Sequence, residues 1–129
     1  MQQRAAQIFT EEKTRQLFPP ERANQFFEAL FGDAEEGAYD ITLHFDGQQS
    51  RDNRLVFELR LRQRPGRCLA CNLTYGLPEV FSRHPVIDIK GLVAAIGAEL
   101  GGAASAWNLG RTREQSRELH VIPLILDFP

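Results

Sequence analysis

A chain of 129 residues, 43% hydrophobic and 25% charged, is long enough for one domain with a single core and too apolar to stay disordered. Its formal net charge of -2 gives no global attraction to nucleic acid or anionic membrane, so any basic patch must be local. The opening MQQRAAQIFTEEK has no apolar run for a signal peptide, and residues 91–107 fall short of the ~20 apolar residues of a membrane span. The expectation is one cytoplasmic domain over residues 1–129, with no membrane association.

Thr10, followed by Glu11 and Glu12, predicts an N-capped helix to about Phe18, stopped by Pro19 and Pro20. A second helix follows from Pro20. In it Ala23, Phe26, Phe27, Leu30 and Phe31 form an apolar stripe, and Gly32 ends it. After GDAEEG the period changes to two. Tyr39, Ile41, Leu43 and Phe45 alternate with polar residues, as do Leu55, Phe57, Leu59 and Leu61 after a polar loop. Charge matching pairs Phe45 with Leu55 and Ile41 with Leu59, which sets Asp46 opposite Arg54 and Asp40 opposite Arg60.

RPGR at 64–67 signals a turn into a third strand over about Cys68 to Tyr75, with Cys71 opposite Leu61. The segment GLPEVFSRHPVID reads as a loop with one helical turn. Asp88 then caps a helix in which Ile89, Leu92, Val93, Ile96 and Leu100 share a face, ended by Gly101 and Gly102. A short strand at 104–109 leads to a final strand at about 118–128, where Pro123 requires a sheet edge or a bulge. The fold class is α+β: a mostly antiparallel sheet, a three-strand meander plus one or two C-terminal strands, packed with three helices in the order α-α-β-β-β-α-(β)-β. Small bacterial chaperones of the secretion-chaperone type are similar in element order, a likeness of fold that carries no activity.

Cys68 and Cys71 are the two cysteines of the chain. Zinc or redox use needs their sulfurs to converge, whereas strand positions i and i+3 lie ~10 Å apart on opposite faces. The expectation is no metal, no cofactor and no disulfide, with Cys71 a small core residue. No nucleophile stands in a triad context, and GxGxxG and GxxxxGK[ST] do not occur, so no catalytic residue is assigned.

Three constellations remain. Trp107 with Arg111 and Arg113, beside Pro123 in a strand apolar on both faces, has the composition of a protein-contact hot spot. His84 and Asp88 could form an acid–base pair in a pocket at a helix N-terminus. Arg60, Arg62 and Arg64 project from one strand face and could track phosphates, but the aromatic rings that stack bases alternate to the other face. The leading expectation is a non-enzymatic binding, adaptor or chaperone-like module whose partner is a second copy of itself or another protein. A small enzyme or ligand-binding protein at His84 and Asp88 is the alternative, and an Arg-striped nucleic-acid binder the second.

Overall fold

The computed structural model describes residues 1–69 and 74–129. The elements run α1 (Gln2–Ile8), α2 (Glu11–Leu17), α3 (Glu21–Phe31), β1 (Tyr39–Phe45), β2 (Arg54–Gln63), α4 (Leu77–Arg83), α5 (Ile89–Leu100), β3 (Ala106–Leu109), β4 (Arg113–Glu114) and β5 (Leu119–Asp127). Single 3-10 turns stand at Ala34–Glu36 and Thr74–Gly76. The fold is α+β, and the sheet is antiparallel in the order β1-β2-β5-β3, with β4 also paired to β5. Among the described residues no helix is long and apolar enough to cross a membrane.

Local chemistry sets the helix ends. The Thr10 hydroxyl accepts from Lys13 N–H at 3.3 Å to start α2, and Gly32, at φ 76°, closes α3 in the left-handed region where glycine carries no Cβ penalty. Asp88 caps α5 by accepting from Gly91 N–H at 3.0 Å. A Cβ at position 91 would collide with that carboxylate, so the cap requires glycine there. Two helices go beyond the three expected. α1 is mostly polar and buries Ala5, and α4 extends the expected single turn to seven residues.

The alternating faces of β1 and β2 are as expected, but their register differs by two residues. Phe45 faces Phe57 and Ile41 faces Leu61. Arg54 therefore pairs with Asp127 of β5 at 2.7 Å, and not with Asp46. The loop decides this. The Asp46 carboxylate accepts from the amides of Gln48 and Gln49, while the buried Ser50 hydroxyl donates to Asp46 O at 2.7 Å and accepts from Val56 N–H at 2.9 Å. A two-residue slip keeps every side chain on its face, so alternation alone could not detect it.

The third meander strand is corrected. The neighbours of β2 are β1 and β5, and Leu61 faces Ile41 and His120, so both sides of β2 are taken by other strands. Gly66 turns at φ 76°, Leu69 donates its N–H to the Gln63 side chain at 2.9 Å, and Thr74 begins a 3-10 turn. Cys68 and Leu69 lie outside any strand, so the argument against a bridge, which assumed a strand there, does not apply. Cys68 is half-buried and disulfide-bonded, against expectation. The placing of Cys71 in the core falls outside the described residues.

Pro123 lies in a central strand. It sits where β5 changes partner from β3 to β4, and the register slips by one residue between the two. Of the two expected settings, the bulge is realised. β5 is thus covered along both sides, which removes the open apolar edge on which the sequence argument for association rested.

The core lies between the sheet and the helices. Leu55, Phe57, Leu59 and Leu61 of β2 and Ile122, Leu124 and Leu126 of β5 join Ala5, Phe26, Phe81, Ile89 and Ile96 in one buried cluster. α1 ends over the hairpin, with Phe9 edge-on to Phe57 at 5.0 Å. α2 lies along the outer strand, where Glu11, Thr14, Arg15 and Phe18 form a small cleft with Thr42, Leu43 and His44.

Candidate protein-interaction face

The apolar stripe of α3 is longer than the core beneath it. Ala23, Phe26 and Phe27 are buried, but Leu30 is 48% and Phe31 59% exposed. Phe27 is the last ring the sheet covers: it meets Tyr39 edge-on at 4.8 Å, and Gly37 lies so close to it that a Cβ there would clash. Phe31 stacks on the outer side of Phe27, with centroids 6.1 Å apart and planes 7° from parallel. A groove of about 190 Å³ runs between this helix end and Leu77, floored by Phe27, Ala38 and Tyr39. Tyr75, 63% exposed, and Val80, one turn beyond Leu77, add apolar surface from the neighbouring segment.

A buried polar cluster anchors that segment. His120 of β5 is 1% exposed, and its Nδ1 lies 2.8 Å from Thr74 Oγ1. Thr112 donates to Thr74 O at 2.7 Å, and Tyr75 OH donates to Glu114 Oε1 at 3.0 Å. The same Glu114 oxygen is 4.0 Å from His120 Nε2, which has no hydrogen-bond partner. Burial and the bond to Glu114 act on the two tyrosines: burial pushes Tyr39 well up, opposed by Arg64, and the hydrogen bond to Glu114 raises Tyr75. The order hydroxyl, imidazole, carboxylate is that of a nucleophile and its base. Thr74 is buried, however, so the hydroxyl meets no solvent, and the cluster serves to tie the 74–76 turn to β4 and β5.

The residues singled out from the sequence are placed apart. Trp107 sits half-buried on the helix side of β3, opposite Leu126 and beside α4, where a cleft of about 430 Å³ is lined by Pro78, Glu79 and Ser82. Arg111 is exposed. Arg113 and Pro123 belong to the opposite face, where Arg113 donates to Glu58 Oε2 at 3.1 Å. His84 is occupied: its ring stands edge-on to Phe26 at 4.8 Å, and its Nδ1 accepts from Val86 N–H at 3.2 Å. Asp88 is the α5 cap already described.

The three arginines likewise have three different roles. Arg60 holds Glu58 through Nε and Nη2, and Arg62 is exposed. Arg64 turns toward the helices, donating to Asp40, Ala34 O and Asn24 at 3.0, 2.9 and 2.6 Å, with its guanidinium over the Phe27 ring. Among the described residues no group of three His, Cys, Asp or Glu stands close enough to hold a metal ion. The exposed pair at the end of α3 was missed because periodicity gives a stripe but not where its cover ends. The signal available was the length of the stripe against the short sheet end at Tyr39.

His44 carries a pH dependence. Partial burial, then the positive charge of Arg60, lower it from its ordinary 6.5, outweighing Glu11 and Glu58. The folded chain thus binds this proton more weakly than the unfolded chain. Its contribution to stability is complete above 6.5 and is lost as pH falls from there through the lowered folded value. Replacing His44 with Gln is expected to flatten the fall in urea midpoint below 6.5, and an unchanged slope would contradict this.

Comparison with protein-family models, with curated proteins and with solved structures finds no match to this chain.

Proposed function

We propose that this chain is a non-enzymatic protein-binding module of the adaptor or chaperone-like kind, docking a protein surface on the face formed by the end of α3 and the segment from Thr74 to Val80. The single observation that carries the reading is the exposure of Leu30 and Phe31 beside an apolar groove. Exposed large apolar side chains gathered around a pocket mark interaction sites, and aromatic anchors supply most of the binding energy there. Two features support a binding role over catalysis. His84 and Asp88 are both spent on local structure, and the one buried imidazole with a free nitrogen serves a hydroxyl that solvent does not reach.

A second copy of the chain is the simplest occupant, because a two-fold interface needs only one self-complementary patch. Sedimentation velocity tests this directly. The wild type is expected to sediment as a dimer at high concentration and the Phe31→Glu variant as a monomer that stays folded, with a small loss of thermal stability from the Phe27 stack and a carboxylate at the end of α3. A wild type that stays monomeric at every concentration would overturn the self-association.

A further inference from the structure

On the face of the sheet away from the helices lies a second cleft, with a different chemistry. It has a volume of about 410 Å³, within the range of roughly 300–1,000 Å³ typical of small-molecule sites. Its walls are Gln48 and Gln49 from the β1–β2 loop and Gln115 from the arm after β4, and its base is Glu58, Arg60 and Arg113. The Glu58 carboxylate, only 11% exposed, accepts from Arg60 Nε and Nη2 with Oε1, and from Arg113 Nη2 with Oε2. The two guanidiniums are more open, at 36% and 55%. The carboxylate is therefore covered and the cations face the cleft.

Of the five N–H groups of each guanidinium, Glu58 takes two from Arg60 and one from Arg113, which leaves donors on both side chains for a ligand in the cleft. The remaining acid at the rim, Asp46, has one oxygen committed to the amides of Gln48 and Gln49. The four charged groups of the cleft, Arg60, Arg113, Glu58 and Asp46, balance, but they are separated: Glu58 is covered at the base and Asp46 is at the rim, while the two guanidiniums are open to the cleft, and guanidinium forks match planar oxyanions.

We infer that this cleft binds a small oxyanion, a carboxylate or a phosphate, received jointly by Arg60 and Arg113 and flanked by the glutamine amides. This site is independent of the α3 face and of the function proposed for it. Glu58 orients the two cations and also competes with the ligand for their N–H groups. That double role makes an unusual prediction: Glu58→Gln, which removes the competing charge, tightens the anion.

Calorimetric titration at low salt with succinate and with inorganic phosphate tests it. Saturable binding of either anion is expected, about tenfold weaker in Arg113→Met, the loss of a charge-assisted bond. It is expected to be severalfold tighter in Glu58→Gln. Succinate alone binding assigns the site to carboxylates, and phosphate alone to phosphates. Should Glu58→Gln fail to fold, Arg60→Met, at a more exposed position, takes its place and is expected to weaken binding as Arg113→Met does. Neither anion binding, or wild-type affinity in Arg113→Met, would overturn the inference.

Discussion

Replacing Phe57 with Ala is expected to cost about 3–5 kcal/mol of folding stability, the range for deleting a buried aromatic ring from a packed core. Phe57 is fully buried at the loop end of the β1–β2 hairpin, edge-on to Phe9 at 5.0 Å and to Phe45 at 5.3 Å, and faces Leu124 of β5. The ring thus joins α1, β1, β2 and β5. Backbone hydrogen bonds hold the strands at fixed spacing, so the site cannot collapse to fill the void. Domains of this kind are stable by only about 5–15 kcal/mol, so the loss is a large part of the whole. A urea titration should show it as a lower midpoint, and a cost under about 1 kcal/mol would mean that Phe57 is not the junction described.

Arg64→Ala is expected to cost about 1–2 kcal/mol, while Arg62→Ala, two residues away, stays within about 0.5 kcal/mol. The two look alike in the sequence and differ wholly in the fold. The Arg64 side chain is 15% exposed and closes a junction between β2, β1, α3 and the turn at Ala34, adding a cation over the Phe27 ring at 5.3 Å. Its removal takes the guanidinium from the part-buried Ala34 carbonyl and from the Phe27 ring, while the exposed Asp40 and Asn24 exchange their bonds for water. Arg64→Lys should recover little, because a single ammonium cannot reproduce the forked donors. Equal and small effects at positions 62 and 64, measured by chemical denaturation, would return both to a row of free surface cations.

What could be read from the sequence was what is local. The caps at Thr10 and Asp88, the stop at Gly32, the apolar faces of α3 and α5, and the alternation in β1, β2 and β5 all depend on neighbours a few residues apart. The β1–β2 hairpin was readable apart from its register, but distant strand partners were not. That β2 pairs with β5 across more than fifty residues depends on the whole chain packing, and alternation at 69–75 imitated a nearer partner. α1 escaped because a seven-residue helix burying one alanine has almost no periodic signal. The candidate site was half legible. The Leu30 and Phe31 stripe was found, but its exposure depends on where the sheet stops, and the clustering of Glu58 with Arg60 and Arg113 depends on a contact across 55 residues.

The position of α2 against β1 has a consequence for how this molecule remains separate from its neighbours. An outermost strand offers its unpaired amides and carbonyls to any passing chain, and unguarded ones start fibres. Here the flank is shielded by seven residues of helix, which Lys13 and Glu99 help to fasten to α5 at 3.2 Å. Such a guard can lift by local fraying while the core stays intact. At the β1 edge, resistance to polymerisation therefore rests on the hold of one short segment and not on the stability of the whole fold.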